Sequence, residues 1–124
     1  MDNFFLVSGV SALLYSLYSL ADYFSFWGIT ALRKKEAKNL ILQGIIKNVI
    51  DVRTKSEWNA SHYKSSIHIP LNSLTRDNTK LQSLNKNDEI FLCCKTGKRA
   101  LEGAKLLHNY GFKKVYYLTN DRLS

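Results

Sequence analysis

Six consecutive residues, Cys94-Lys95-Thr96-Gly97-Lys98-Arg99, carry the strongest chemical signal in the chain. They stand between the apolar run Glu89-Ile90-Phe91-Leu92-Cys93 and a stretch from Ala100 to Tyr110 with helical spacing. A strand that feeds a short loop and then a helix aims several backbone N–H groups at one point, and such a point holds an anion or a thiolate. Cys94 sits there. Lys95, Lys98 and Arg99 surround it with positive charge, which favours the thiolate, the nucleophilic form. Gly97 permits the turn that brings the N–H groups inward. The loop therefore predicts a reactive cysteine in an anion cradle.

Neighbouring residues bound that chemistry. Cys93 and Cys94 are adjacent, so they form no ordinary structural disulfide, and a reducing compartment or a catalytic thiol fits them better. His62, His68 and His108 are not at ligand spacing with one another or with the cysteines, so no metal site is expected. No organic cofactor is implied. Cys93 to Arg99 has the Cx5R count of the cysteine phosphatases. Register argues against that reading, because Gly97 fits a tight loop counted from Cys94, and Cys93 would end the strand with its side chain on the other side.

The hydrophobic pattern supplies the elements that must hold these residues. Ile45 to Val52 and Ile90 to Cys93 are short apolar runs of the kind that become buried parallel strands. Asp51 and Arg53 then lie at the C-terminal end of the first, where open α/β sheets bind ligands. Val115-Tyr116-Tyr117-Leu118 predicts a last strand, and Ile67-His68-Ile69 a short one stopped by Pro70. A first helix is expected with Thr30 as N-cap and Gly44 just past its end, and a helical turn over Glu57 to Tyr63. Leu74, Leu81 and Leu84 are spaced for a short helix, and the helix from Ala100 stops at Gly111. Alternating strands and helices imply a three-layer sandwich with a mainly parallel sheet.

The sequence CKTGKRA resembles the active-site loop of the rhodanese (sulfurtransferase) family, which has the form CxxGxR followed by a small residue. Asp51-Val52-Arg53, the acidic-aromatic pair Glu57-Trp58, His62 and Ile69-Pro70 resemble the family's other signature, in the right order. The resemblance covers Gly28 to the C-terminus. It implies a rhodanese-like α/β/α sandwich and an enzyme that moves a sulfane sulfur from a small anionic donor such as thiosulfate to a thiol acceptor, through a persulfide on Cys94. It further implies that Lys95, Thr96, Gly97, Lys98 and Arg99 form the substrate-binding loop, supported by Asp51 and Arg53. An Asp51–Arg99 ion pair is the expected brace of that loop, and His62 and His68 are expected to support the fold. Ser65 replaces a glycine common in the family, Asn120-Asp121 stands where a glycine pair usually follows the last strand, and the terminal helix of many members is not seen before Ser124. These departures keep a second reading open, a non-catalytic rhodanese-like subunit of a membrane protein assembly.

Residues 1–27 form a separate unit. Phe4 to Ala21 is 18 residues without a charge, about 27 Å as a helix, just enough to cross a hydrocarbon core. Asp22 interrupts, and the aromatic cluster Tyr23-Phe24-Ser25-Phe26-Trp27 follows, of the sort found at membrane interfaces. The favoured expectation is a single-pass transmembrane helix ahead of a domain over residues 28–124. Polar Ser8, Ser11, Tyr15, Tyr18, Asp22 and Ser25 recur opposite a stripe of Leu6, Val10, Leu13, Leu17, Leu20 and Phe24, so an interfacial helix is a second reading. A cleaved signal peptide ending near Ala21 is a third. Arg33-Lys34-Lys35 and Lys38 beyond the aromatic cluster would place the domain on the cytoplasmic or equivalent side. From Gly28 onward the chain holds all 18 Lys and Arg against eight Asp and Glu, a net of +10. Those basic residues are dispersed and accompany no nucleic-acid motif, so nucleic acid is not an expected partner.

Overall fold

The structure, a computed structural model, describes residues 28–119. Its elements are β1 (Ile29–Leu32), α1 (Lys34–Leu42), β2 (Ile46–Asp51), α2 (Lys55–Ala60), β3 (Ile67–His68), a 3-10 turn at Leu71–Ser73, α3 (Thr79–Gln82), β4 (Glu89–Cys93), α4 (Lys98–Asn109) and β5 (Lys114–Leu118). The strands form one sheet in the order β1-β5-β4-β2-β3, every pair parallel. Each connection must then cross over the sheet, and the helices that do so bury both of its faces.

The two faces read directly off the strand alternation. Ile50, Val52, Ile90, Leu92 and Val115 meet Leu81 of α3 and Ala100, Ala104 and Leu107 of α4 in one buried cluster. Ile46, Val49, Phe91, Cys93 and Leu118 point the other way and meet Ala37 of α1. β4 lies at the centre, and Phe91 and Leu92 are fully buried on its opposite faces. Truncating either to alanine removes about 2–5 kcal/mol. Gly103 lets α4 approach closely, since a Cβ there would stand 2.7 Å from Leu92 Cδ2.

The strand order creates a crevice. The chain leaves β2 toward α2 and Tyr63, which packs with the α1 cluster, whereas it leaves β4 toward α4 on the opposite face. β2 and β4 are neighbours, so the loops after them diverge at the C-terminal edge of the sheet, the switch point where open α/β sheets bind ligands.

Three expectations about the elements are corrected. Ile29–Leu32 is a strand, where a helix was expected to follow Thr30, because the β-branched pair Ile29-Thr30 extends the sheet along β5. α1 starts later, with Arg33 as N-cap and Glu36 bonded to the Arg33 N–H. α2 begins at Lys55, two residues before Glu57, because Thr54 and Glu57 cap it reciprocally. The leucines at 74, 81 and 84 do not share one helix. Leu74 follows the 3-10 turn, and Asn78 starts a separate short α3 by accepting from the Leu81 N–H. The expected membrane-spanning or interfacial helix falls on residues 1–27, outside the described residues. Among those described, no helix is long and apolar enough to cross a membrane.

Candidate active site

Cys94 follows the last residue of β4 and lies beneath the first turn of α4. Its Sγ accepts from the Gly97 N–H at 3.0 Å and from the Ala100 N–H at 3.2 Å. These are the N-cap and N3 positions of a 12-residue helix, so the sulfur fills the place an Asn, Asp or Ser side chain normally takes at a helix start. Gly97 makes this possible with φ 90° and ψ −20°, a left-handed conformation that a side chain would oppose. Lys95, Thr96 and Lys98 project from the loop with exposed side chains, and Arg99 is partly buried. Two backbone N–H groups of the loop thus converge on the Cys94 sulfur, and the cationic residues Lys95 and Lys98 beside it are exposed.

The expected Asp51–Arg99 brace is replaced by two separate pairs. Asp51 is gripped by Arg53, two residues on: Arg53 Nη2 donates to Oδ2 at 2.8 Å, Nε to both carboxylate oxygens at 3.0 Å, and the Arg53 N–H to Oδ1 at 3.0 Å. Both residues are buried. Arg53 also donates to the Ser61 carbonyl at 2.6 Å, and its own carbonyl is bonded to His68 Nε2 at 2.8 Å. Arg99 instead forks onto Glu57 of α2, Nη1 to Oε1 at 2.7 Å and Nη2 to Oε2 at 3.0 Å. The reason is facial. Asp51 is paired in register with Cys93 and shares its side of the sheet with Val49, while Cys94 and α4 belong to the other side.

Glu57 is the residue that sequence reasoning passed over, although it stood within the second signature. Its signal was the Thr54-x-x-Glu57 spacing of a capping box. Arg99 and the Thr54 N–H hold its carboxylate down to about 2. Arg99 is correspondingly raised by its hydrogen bonds to Glu57. Trp58 steadies the same helix by stacking on His62 at 3.5 Å between ring centroids and on His68 at 4.8 Å. The two histidines thus make structural contacts around α2, in keeping with the expectation for them.

The adjacent cysteines are divided by the pleat. Cys93 packs in the α1 cluster, where burial pushes its thiol upward and Asp51 adds to the effect. Cys94 alone receives the loop N–H bonds. Beside the loop lies a groove of ≈ 480 Å³ walled by Val52, Thr54, Lys55, Leu71, Asn72 and Arg99. It brings together the ends of β2 and β3 with the Arg99 side of the cradle. Among the described residues, no cluster of His, Cys, Asp and Glu is arranged to hold a metal.

Comparison with known proteins gives this geometry a family. A family model described as "Rhodanese-like domain" matches residues 33–121. "Putative sulfur carrier protein YrkF" of Bacillus subtilis is 37% identical over 68 residues, 55% of this chain, and the chain spans only 35% of that protein's length. The crystal structure of SSP1007 from Staphylococcus saprophyticus aligns with a TM-score of 0.63 at 25% identity, over 74% of this chain and 88% of that one. The human single-domain sulfurtransferase TSTD1 gives 0.63 at 22% identity, over 73% and 89%, which at that identity is a likeness of fold. The family match covers most of the chain, and the parallel sheet accords with it: the chain belongs to the rhodanese-like domain family.

Proposed function

We propose that the chain is a sulfurtransferase in which Cys94 carries a sulfane sulfur as a persulfide. The observation that carries this reading is the pair of N–H bonds to Cys94 Sγ from Gly97 and Ala100. In the first half-reaction the Cys94 thiolate attacks the outer sulfur of a donor such as thiosulfate. An Sγ–S bond forms, the donor's S–S bond breaks, and sulfite departs with the bonding pair. In the second, an acceptor thiolate or cyanide attacks the outer persulfide sulfur, and Cys94 leaves as the thiolate. The charge is negative throughout, and inward N–H groups with Lys95, Lys98 and Arg99 at the rim suit it at each stage. Glu57 and Thr54 position Arg99, Asp51 and Arg53 hold the loop after β2, and the groove from Val52 to Asn72 is the approach for the acceptor.

Residues 1–27 would anchor this domain to a membrane as a single-pass helix, with the domain on the side of Arg33-Lys34-Lys35. The uncharged run and its aromatic and basic flank support that placement. The anchored domain would then act in a reducing compartment, where a free Cys94 persists. Ser65, in the exposed turn after Tyr63, is the described departure behind the non-catalytic alternative, and it lies away from the Cys94 loop in sequence.

Incubating the protein with thiosulfate tests the proposal. One added sulfur atom, about 32 Da, removable by cyanide with release of thiocyanate, is the expected result. A chain that takes up no sulfur from any sulfane donor would instead be a non-catalytic module.

A further inference from the structure

Strands β1, β5, β4 and β2 all begin on one edge of the sheet, and the register sets their starts level. Ile46 pairs with Glu89, Glu89 with Lys114, and the Gly28 carbonyl accepts from the Val115 N–H at 2.7 Å. The line from Ile46 to Gly28 crosses three strand spacings, about 15 Å. Cys94 follows the opposite end of the five-residue β4, about 16 Å away along the strand.

The edge where the strands begin carries the large hydrophobic side chains that are exposed among the described residues. Leu42, the last residue of α1, is 83% exposed, and Ile45, just ahead of β2, is 37% exposed. Gly44 turns the chain between them at φ 77°, and the Gly44 and Ile45 N–H groups return to the Ile41 and Leu40 carbonyls. The turn is thus closed by its own hydrogen bonds and leaves Leu42 in solvent. Around this tip the edge is basic. Lys47, Lys86, Lys113 and Lys114 are exposed, and the Lys113 N–H donates to the Lys86 carbonyl. The acids in the same turns and strand starts are Asp88 and Glu89, and Glu89 is taken up by the Tyr116 hydroxyl at 3.1 Å and by Lys114 at 4.0 Å. One exposed leucine is ordinary on a protein surface. An apolar tip within a basic edge is the pattern of a surface that meets anionic lipid.

We propose that this edge of the domain rests on an anionic lipid bilayer, with Leu42 and Ile45 entering the headgroup region and Lys47, Lys86 and Lys113 meeting the lipid phosphates and carboxylates. The inference rests on the single-pass reading of residues 1–27, and Gly28 connects the two. Gly28 is the first described residue, it stands on this edge, and seven residue steps separate it from Ala21, the end of the uncharged run. A chain of that length spans at most about 25 Å, so a run embedded in the bilayer holds Gly28, and the edge it stands on, within that distance of the lipid. The cytoplasmic leaflet is the anionic one, which matches the side proposed for the domain. A second copy docked edge to edge would instead set these lysines against one another. Resting on this edge, the domain turns the Cys94 loop away from the membrane, open to soluble donors and acceptors.

The test uses the full chain reconstituted in vesicles, with Cys94→Ser so that the outcome is independent of sulfur transfer, and with buried Cys93 left in place. A fluorophore is attached at Gln43→Cys, between Leu42 and Ile45, or at Lys95→Cys, on the Cys94 edge; both positions are exposed. Flotation reports whether lipid holds the chain, and phosphatidylcholine carrying a nitroxide high on its acyl chain reports which edge touches the lipid. With about 30% phosphatidylserine present, the label at 43 should be quenched roughly fivefold more than the label at 95. Adding Leu42→Ser, or Lys86→Glu together with Lys113→Glu, should remove most of that difference. A chain that does not float overturns the single-pass reading and the proposal with it. A chain that floats with equal quenching at both positions, or none at either, overturns the proposal alone. Two further results would also overturn it: the same difference in phosphatidylcholine without phosphatidylserine, which would leave charge no part, and shielding at 43 that grows with protein-to-lipid ratio without nitroxide quenching, which would put a second copy on the edge.

Discussion

Arg99 and Glu57 lie 42 residues apart in sequence, yet their side chains meet through two hydrogen bonds of 2.7 and 3.0 Å. The pair ties the start of α4 to α2 across the crevice at the edge of the sheet. Its side chains are each 29% exposed, against 8% and 2% for Arg53 and Asp51.

That contrast ranks the two arginines. Arg53→Ala leaves a buried Asp51 without its partner and should cost on the order of 3–5 kcal/mol. Arg99→Ala breaks a half-wet pair and should cost only about 1 kcal/mol in stability while slowing sulfur transfer. Urea unfolding of both variants checks the order. Equal losses would mean that the Glu57 pair is as essential to the fold as the Asp51 pair.

Glu57 makes the same pair sensitive to acid. Its native value of about 2 lies below the ordinary 4.5, so the pair's contribution is complete above pH 4.5 and fades as pH falls toward 2. Exposure limits that contribution to about 1 kcal/mol. Melting curves of Glu57→Gln should therefore show a lower plateau at neutral pH and a shallower decline below pH 4.5 than the parent. A variant that retains the parent's full acid decline would assign that decline to other carboxylates.

The two cysteines should separate cleanly. Cys94→Ser should abolish both persulfide formation and turnover, because the labelled atom is gone. Cys93→Ser, on the far face of the sheet in the α1 cluster, should keep both and lose only about 1–3 kcal/mol from burying a hydroxyl. Mass spectrometry after thiosulfate treatment decides it. Labelling lost with Cys93 would return the Cx5R register to consideration.

Gly97→Ala places a methyl group on a residue with φ 90°, at a cost of about 1–2 kcal/mol. The strain would be relieved by turning the Gly97 N–H away from Cys94, so persulfide formation should fall by more than stability does. Retention of the parental labelling rate would show that the Ala100 N–H suffices.

Much of this arrangement was legible before the structure. The strand, loop and helix around Cys94 follow from one apolar run, Gly97 in the loop and Gly111 past the helix, and local rules govern such features. That Cys93 and Cys94 face opposite sides of the sheet needed only strand alternation. β1 was missed because Ile29-Thr30-Ala31-Leu32 is four residues long, and its extended shape depends on β5, which comes more than 80 residues later. The partner of Arg99 was missed for a related reason. Asp51, Arg53 and Glu57 all stand near the end of β2 in sequence, and only the side of the sheet each one faces decides which acid takes which arginine.

The same two ion pairs also imply an order of assembly. Asp51 and Arg53 close almost no loop, and Cys94 to Ala100 spans six residues, so the buried pair and the anion cradle are cheap to form early. Joining Glu57 to Arg99 requires β2, α2, β4 and α4 to be in place, and the entropy of that closure is met only once the sheet has formed. The backbone donors to Cys94 are therefore set by neighbours along the chain, while Arg99 is oriented by the completed topology. A partly folded molecule would carry the thiol in its loop without the oriented arginine, which makes the finished Arg99–Glu57 contact a molecular signature of the native state.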